Sequence, residues 1–291
     1  MKKIILIIGG DSFLGSCLRK NLSVNYDVSS TYFRKSYLNG IKVDVTNISS
    51  LSRIINNVNP SVLIDLVAVA DPDYAELNKE LTWKLNVESV KSIIGIIKDN
   101  NIKLIYPSSA YVFSGRNPPY KENAVMDPVN YYGETKMRAE KMITQNLNDY
   151  VILRLSKLYG YNSKFDKVTF VTKVLNKLRK NEGIHLENNV KKYPLLINDL
   201  VDIIDNVISF DRKGIYNVSS PIPITDYEWG LKIAKVFGFS QSLIKKGNIG
   251  INSQRPLNSK LDLAKGEKIG FKQTKLMNGL KIIKKTMENY K

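Results

Sequence analysis

The chain has 291 residues, enough for one large domain or two closely coupled ones with an ample apolar core. Its one cysteine, Cys17, excludes an internal disulfide, and with a single histidine, His185, it cannot build a Cys/His zinc site; no metal is expected, and a Ser-His-Asp triad has no motif to stand on. A formal charge of +17 favours polyanionic partners in general, but the lysines are dispersed and form no basic stripe with interleaved aromatics, so no nucleic-acid role follows.

The start, Met1-Lys2-Lys3 followed by Ile4 to Ile8, runs into Gly9-Gly10 and stays shorter than the roughly 7–15 residues of a signal-peptide core. No stretch approaches the roughly 18 apolar residues of a membrane span. With the lone thiol, these features predict a soluble, cytoplasmic protein without a membrane partner.

Residues 3–8 form a short apolar run, as expected of a strand buried on both faces, and a helix follows over 14–23. Strands are predicted at 27–32 and 41–45, and a helix at 47–57 with Leu51, Ile54, Ile55 and Val58 on one face. A buried strand at 62–70, a long helical region over 74–99 and a strand at 102–106 continue the alternation, which argues for an α/β fold with a parallel, doubly wound sheet. After a strand at 151–155 the pattern loosens, with helices at 166–180, 198–209, 226–237 and 274–289 and short strands near 184–187 and 214–218. Thr225-Asp226 offers an N-cap for the third of these helices.

Gly9-Gly10-Asp11-Ser12-Phe13-Leu14-Gly15 joins the first strand to the first helix, where a Rossmann-type fold holds a dinucleotide pyrophosphate against N–H groups at a helix N-terminus. Gly9 permits the tight turn and Gly15 close helix–sheet packing, with Ser12, Phe13 and Leu14 completing the cradle. The second strand ends in Thr31-Tyr32-Phe33-Arg34-Lys35, without the carboxylate that would hold an NAD ribose; Arg34 and Lys35 can meet a 2′-phosphate instead. The predicted cofactor is NADP(H). Residues 1–157 are expected to form this NADP-binding domain, with 196–219 returning to it. Residues 158–195 and 220–291 are expected to form a smaller C-terminal lobe that binds substrate.

Tyr132 and Lys136 stand four apart at a predicted helix start and so share one face, whereas Tyr131 points elsewhere. An ammonium beside a phenol favours the phenolate and would lower its pKa from about 10, which suits Tyr132 as a general acid toward a carbonyl receiving hydride. Ser108-Ser109 close the preceding strand at the C-terminal edge of the sheet, where such folds bind ligands, and a hydroxyl there can orient the carbonyl.

This combination resembles the extended branch of the short-chain dehydrogenase/reductases over essentially the whole chain. Within it, the chain is similar to dTDP-4-dehydrorhamnose reductases and to the regulatory β subunit of methionine adenosyltransferase. The likeness rests on residues 108–115 (Ser-Ser-Ala-Tyr-Val-Phe-Ser-Gly), 117–122 (Asn-Pro-Pro-Tyr-Lys-Glu), 131–136 (Tyr-Tyr-Gly-Glu-Thr-Lys), 154–160 (Arg-Leu-Ser-Lys-Leu-Tyr-Gly) and 255–261 (Arg-Pro-Leu-Asn-Ser-Lys-Leu). The resemblance implies Ser109, Tyr132 and Lys136 as the catalytic triad, with Lys136 also touching the nicotinamide ribose. It implies Asp44 and Val45 beside the adenine, Ala68 and Asn86 near the cofactor, and Tyr111 and Arg255 toward the sugar nucleotide. The activity implied is NADPH-dependent reduction of a nucleotide-diphospho-4-keto-6-deoxy sugar, as in polysaccharide biosynthesis, with a homodimer as the assembly.

The chain departs from the family at Ser12 (a glycine there), Ala110 (an aspartate), Leu66 and Val67 (smaller residues) and Lys157 (a tryptophan that contacts the sugar). These departures give weight to a second reading, a cofactor-binding regulatory subunit that serves an enzyme partner and does no chemistry. A sugar-nucleotide epimerase or dehydratase shares the same residues. Those enzymes hold NAD through whole cycles, and the missing acid at the second strand's end counts against that reading.

Overall fold

A computed structural model describes residues 2–161, 169–247 and 253–289. The positions 166–168 of the helix expected over 166–180, and 162–168, 248–252 and 290–291 of the expected smaller lobe, lie outside the described residues. The first half comprises β1 (Ile4–Ile8), α1 (Phe13–Leu22), β2 (Asp27–Tyr32), β3 (Ile41–Lys42), α2 (Ile48–Val58), β4 (Val62–Asp65), α3 (Pro72–Leu77), α4 (Lys79–Trp83), a π turn (Lys84–Glu88), α5 (Ser89–Ile97), β5 (Lys103–Ser109), α6 (Tyr131–Asn146) and β6 (Tyr150–Leu155). The second half adds β7 (Leu158–Tyr159), α7 (Phe170–Arg179), β8 (Ile184–Leu186), β9 (Leu195–Leu196), α8 (Ile197–Ser209), β10 (Gly214–Val218), α9 (Asp226–Phe237), β11 (Ile244–Lys246), α10 (Ala264–Glu267) and α11 (Leu276–Glu288).

β1 is apolar along its whole length because both of its faces are covered. Ile5 and Ile7 pack with Leu14, Leu18 and Leu22 of α1 and the inner face of α8, while Leu6 and Ile8 pack with α2, α5 and α6. The result is a seven-stranded sheet of order β10-β6-β5-β4-β1-β2-β3, every pair parallel. The order reverses at β1, so the crevice beyond the C-terminal ends of β1 and β4 is the natural ligand site. Register brings Ile8 opposite Asp65 and Ser109 opposite Leu155, which lines up four loop mouths along one edge. A third cluster lies outside the sheet, where α7, α9 and α11 surround Trp229, with Tyr159 edge-on to its ring at 5.5 Å and Phe170 at 4.5 Å.

Two expectations are corrected, and the helical region expected over 74–99 resolves into pieces: it is interrupted at Asn78 (φ −130°, ψ 57°) and then runs from α4 through the π turn into α5. Asn78 donates its side-chain amide to the Tyr74 carbonyl, a local bond that competes with helix continuation. The fourth strand stops at Asp65, not 70, because side chains take the backbone groups beyond it: Asp65 accepts from Val67 N–H, and Asn86 brackets both polar groups of Val69. The third strand covers 41–42, not 41–45, since Asp44 turns the chain by accepting from the N–H and hydroxyl of Thr46.

Candidate active site

The phosphate loop is built by close approach. Gly9 sits at φ +83°, a conformation that glycine adopts without strain, and a Cβ on Gly15 would meet the Gly9 carbonyl oxygen at 2.4 Å. Ser12 does not project into the loop's concavity; its hydroxyl turns back as the N-cap of α1 and accepts from Gly15 N–H at 2.9 Å. Phe13 and Leu14 open the helix behind it.

Arg34 and Lys35 are exposed just beyond β2. A carboxylate does reach this turn, from a direction the strand pattern did not reveal: Asp11 of the phosphate loop accepts from the N–H groups of Phe33, Arg34 and Lys35 at 3.2, 3.2 and 3.4 Å. A third cation also approaches it. Arg19 of α1 lies 3.5 Å over the Tyr37 ring and donates to the Gly10 carbonyl at 3.1 Å. Asp44 is exposed and Val45 buried after β3, and Ala68 lies half-buried in the loop after β4. Asn86 is wholly buried in the π turn. Its amide oxygen accepts from Val69 N–H at 2.8 Å, and its nitrogen donates to the Val69 carbonyl and the Thr135 hydroxyl, both at 3.0 Å. Those bonds engage the whole amide, so Asn86 braces the site and has no donor left for a ligand.

At the end of β5 the two serines separate. Ser108 turns into the core and donates to Glu140, whose carboxylate is paired with Arg154 at 2.8 Å. Ser109 faces the crevice, accepts from Tyr111 N–H at 3.1 Å, and its hydroxyl lies near enough to the Tyr132 phenol to act on it. Asn130 caps α6 by accepting from Gly133 N–H at 2.8 Å, which starts the helix so that Tyr132 points inward and Tyr131 outward, its N–H held by Glu76. Gly133 is required there: a Cβ would fall 2.1 Å from the Tyr111 carbonyl oxygen. The Tyr111 ring then meets the Tyr132 ring edge-on at 6.1 Å.

Lys136 lies one turn on, buried, and its ammonium donates to the Tyr106 hydroxyl at 2.9 Å and the Pro107 carbonyl at 3.0 Å. This corrects the expected electrostatics. Burial dominates at Tyr132 and pushes its phenol up to about 12, partly offset by the nearby Ser109 hydroxyl, so the phenol is not lowered by the ammonium. Burial likewise brings Lys136 down to about 8, against the raising influence of Asp65 and Glu140. Asp65 itself, buried at the end of β4 with one carboxylate oxygen unpartnered, is held up at about 6 by desolvation.

Arg255 and Tyr111 come together from distant segments. Arg255 is paired with Asp73 at 2.7 Å, and its charge acts on the Tyr111 phenol. Asp73 also accepts from the N–H and hydroxyl of Ser253 at 3.0 Å, tying the start of α3 to the C-terminal region. Asp11, Arg19, Asp65 and Asp73 escaped sequence reasoning because each acts across the fold. The Asp11 position in a glycine loop was the one local signal available.

Residues 1–288 match the family described as the RmlD substrate binding domain. Among curated proteins, the chain is 28% identical over 287 residues to methionine adenosyltransferase 2 subunit beta of Mus musculus, across 95% of this chain and 86% of that one. It is 25% identical over 255 residues to the probable low-salt glycan biosynthesis reductase Agl14 of Haloferax volcanii, across 86% and 85%. Among solved structures, dTDP-4-dehydrorhamnose reductase from Bacillus anthracis in complex with NADP is similar with a TM-score of 0.86 at 26% identity, over 99% of this chain and 100% of that one. A hypothetical dTDP-4-dehydrorhamnose reductase from Sulfolobus tokodaii gives 0.83 at 28%, over 95% and 98%. Strand order, loop and crevice thus agree with a match that runs almost from end to end, and the chain belongs to the RmlD substrate binding domain family.

Proposed function

We propose that this protein is an NADPH-dependent reductase of a 4-keto sugar linked to a nucleoside diphosphate, with the 4-keto-6-deoxy sugar of dTDP-4-dehydrorhamnose reductases as the reference substrate. The observation that carries the reading is the meeting of the Ser109 hydroxyl and the Tyr132 phenol at the sheet edge, with the Lys136 ammonium buried one turn behind. NADP(H) fits the residues present: the glycine cradle leaves no room for a Cβ at Gly15, and Arg34, Lys35 and Arg19 supply cations where a 2′-phosphate would lie. The bound complex of the Bacillus anthracis relative supports this choice. When bound, the cofactor supplies the hydride. Gly9, Ser12, Phe13, Leu14 and Gly15 would hold its pyrophosphate, Asp44 and Val45 its adenine, and Ala68 and Lys136 its nicotinamide half.

On this reading Ser109 orients the carbonyl, and Tyr132 gives its proton to the oxygen as the alkoxide forms. A phenol held at about 12 stays protonated at neutral pH, which suits donation and disfavours the reverse, oxidative direction. The Lys136 ammonium, held by Tyr106 and Pro107, would turn its remaining N–H to the nicotinamide ribose, and the phenolate left behind takes a proton back from water. Residues 158–195 and 220–291, with Tyr111 and Arg255 at the crevice, would form the substrate lobe. NADPH oxidation across a panel of 4-keto sugar nucleotides, with NADH as control, tests the assignment; no oxidation on any member, together with a stoichiometric enzyme partner in a pull-down, would favour the regulatory-subunit reading that the similarity to methionine adenosyltransferase 2 subunit beta supports.

The acid–base balance predicts a pH profile. Lys136 must be an ammonium, so kcat/KM should fall as pH rises through about 8. Asp65 raises that value, so Asp65→Asn should move the alkaline limb to lower pH by about one unit. An unmoved limb would remove Lys136 as the group that titrates.

A further inference from the structure

Just beyond β2, three consecutive backbone N–H groups point at one oxygen. Those of Phe33, Arg34 and Lys35 all donate to Oδ2 of Asp11, at 3.2, 3.2 and 3.4 Å. Successive N–H groups aimed at one point make a concave seat for an anion. The bonds are at the long end of the range, so the seat holds its present occupant loosely. Asp11 is half-buried and the three donors belong to exposed residues, so a larger anion can reach the seat from solvent.

The seat's position says which anion that is. In a Rossmann-type sheet the tip of the second strand, about 20 residues past the glycine loop, faces the 2′ position of the adenosine ribose. Phe33, Arg34 and Lys35 occupy that tip, and the fold ties it to the phosphate loop. Gly10 N–H donates to the Thr31 carbonyl at 2.7 Å, and a Cβ on Gly10 would meet the Tyr37 hydroxyl at 2.4 Å. The Arg19 guanidinium is fixed at the same junction, between the Gly10 carbonyl and the Tyr37 ring. A phosphate monoester brings more charge and one more acceptor oxygen than a carboxylate, so it is the stronger occupant.

We propose that Asp11 is a built-in stand-in for the 2′-phosphate. Its carboxylate fills the seat made by the N–H groups of Phe33, Arg34 and Lys35, and NADP(H) binds by displacing it. NAD(H) carries no group that can take its place. Asp11 is therefore a specificity-determining residue: the internal competition sets how strongly the protein prefers the phosphorylated cofactor. The inference deepens the cofactor assignment above and rests on it.

The test uses binding, not turnover. Calorimetric titration of NADP⁺ and NAD⁺ into the wild-type protein and Asp11→Asn measures the competition, with thermal melting to verify that the variant folds. Asparagine keeps the shape and loses the charge, so the ratio of NADP⁺ to NAD⁺ affinity is expected to rise about tenfold, the worth of one charge-assisted hydrogen bond. Relief of repulsion at a distance would raise the ratio as well, so the seat is also read directly. In ¹⁵N-labelled wild-type protein, the amide resonances of Phe33, Arg34 and Lys35 should differ between the NADP⁺ and NAD⁺ complexes. In the NADP⁺ complex of Asp11→Asn they should match those of the wild-type NADP⁺ complex, since phosphate is then the occupant in both. Identical amide positions in the two wild-type complexes would overturn the proposal by placing the phosphate elsewhere. An unchanged or lower ratio in Asp11→Asn would overturn it too, by making the carboxylate a support for the turn. Wild-type protein that binds neither nucleotide would instead count against the cofactor assignment itself.

Discussion

Tyr132→Phe is expected to lower kcat by about 10²–10⁴-fold, the usual size of a positioned general acid's contribution, while NADPH affinity stays nearly unchanged. The substitution removes one oxygen and keeps the ring, so its edge-on contact with Tyr111 and the start of α6 survive. The loss should not be repaired by lower pH, because the wild-type phenol is already protonated throughout the neutral range. Fluorescence titration of NADPH alongside single-turnover kinetics separates the two effects. A variant that reduces substrate at the wild-type rate would remove Tyr132 from the chemistry; one that no longer binds NADPH would make the hydroxyl a cofactor ligand first.

Arg154→Ala should cost about 3–5 kcal/mol of stability, the penalty for leaving one member of a buried ion pair alone. Arg154 and Glu140 are only 2% and 1% exposed, so neither charge can turn to water when its partner goes. The pair holds more than itself: Glu140 accepts from Ser108, and Arg154 donates to the Glu122 carbonyl at 2.8 Å. Replacing both by methionine should recover much of the loss, since apolar side chains of similar volume need no partner. Urea unfolding of Arg154→Ala and of the double methionine variant decides it, and a double variant no more stable than Arg154→Ala would show that packing, not an orphaned charge, sets the cost.

Much of the fold was legible because its signals are local. The apolar run of β1, the glycine loop and the i, i+4 pair of Tyr132 and Lys136 each lie within a few residues and need no tertiary context. The helix over 226–237 matches its predicted bounds because Thr225 and Glu228 cap it reciprocally. What escaped depends on partners far along the chain. The fourth strand ends early because Asn86 takes the polar groups of Val69, and nothing near Val69 announces that. The phenol's acidity was misjudged for the same reason: spacing put an ammonium beside it, but Tyr106 and Pro107 claim that ammonium and burial governs the ring. The resemblance chose Ser109 over Ser108, but the physical reason for the difference is Glu140, which takes the Ser108 hydroxyl from thirty-two positions away.

The bracket made by Asn86 carries one more implication. A single amide fastens the strip of chain that follows β4 to the helix that bears Tyr132, spanning forty-nine positions of sequence. The two parts share a joint, so neither can drift without dragging the other. On the proposed mechanism, the cofactor side and the proton-donating side of the site therefore share one hydrogen-bonded joint.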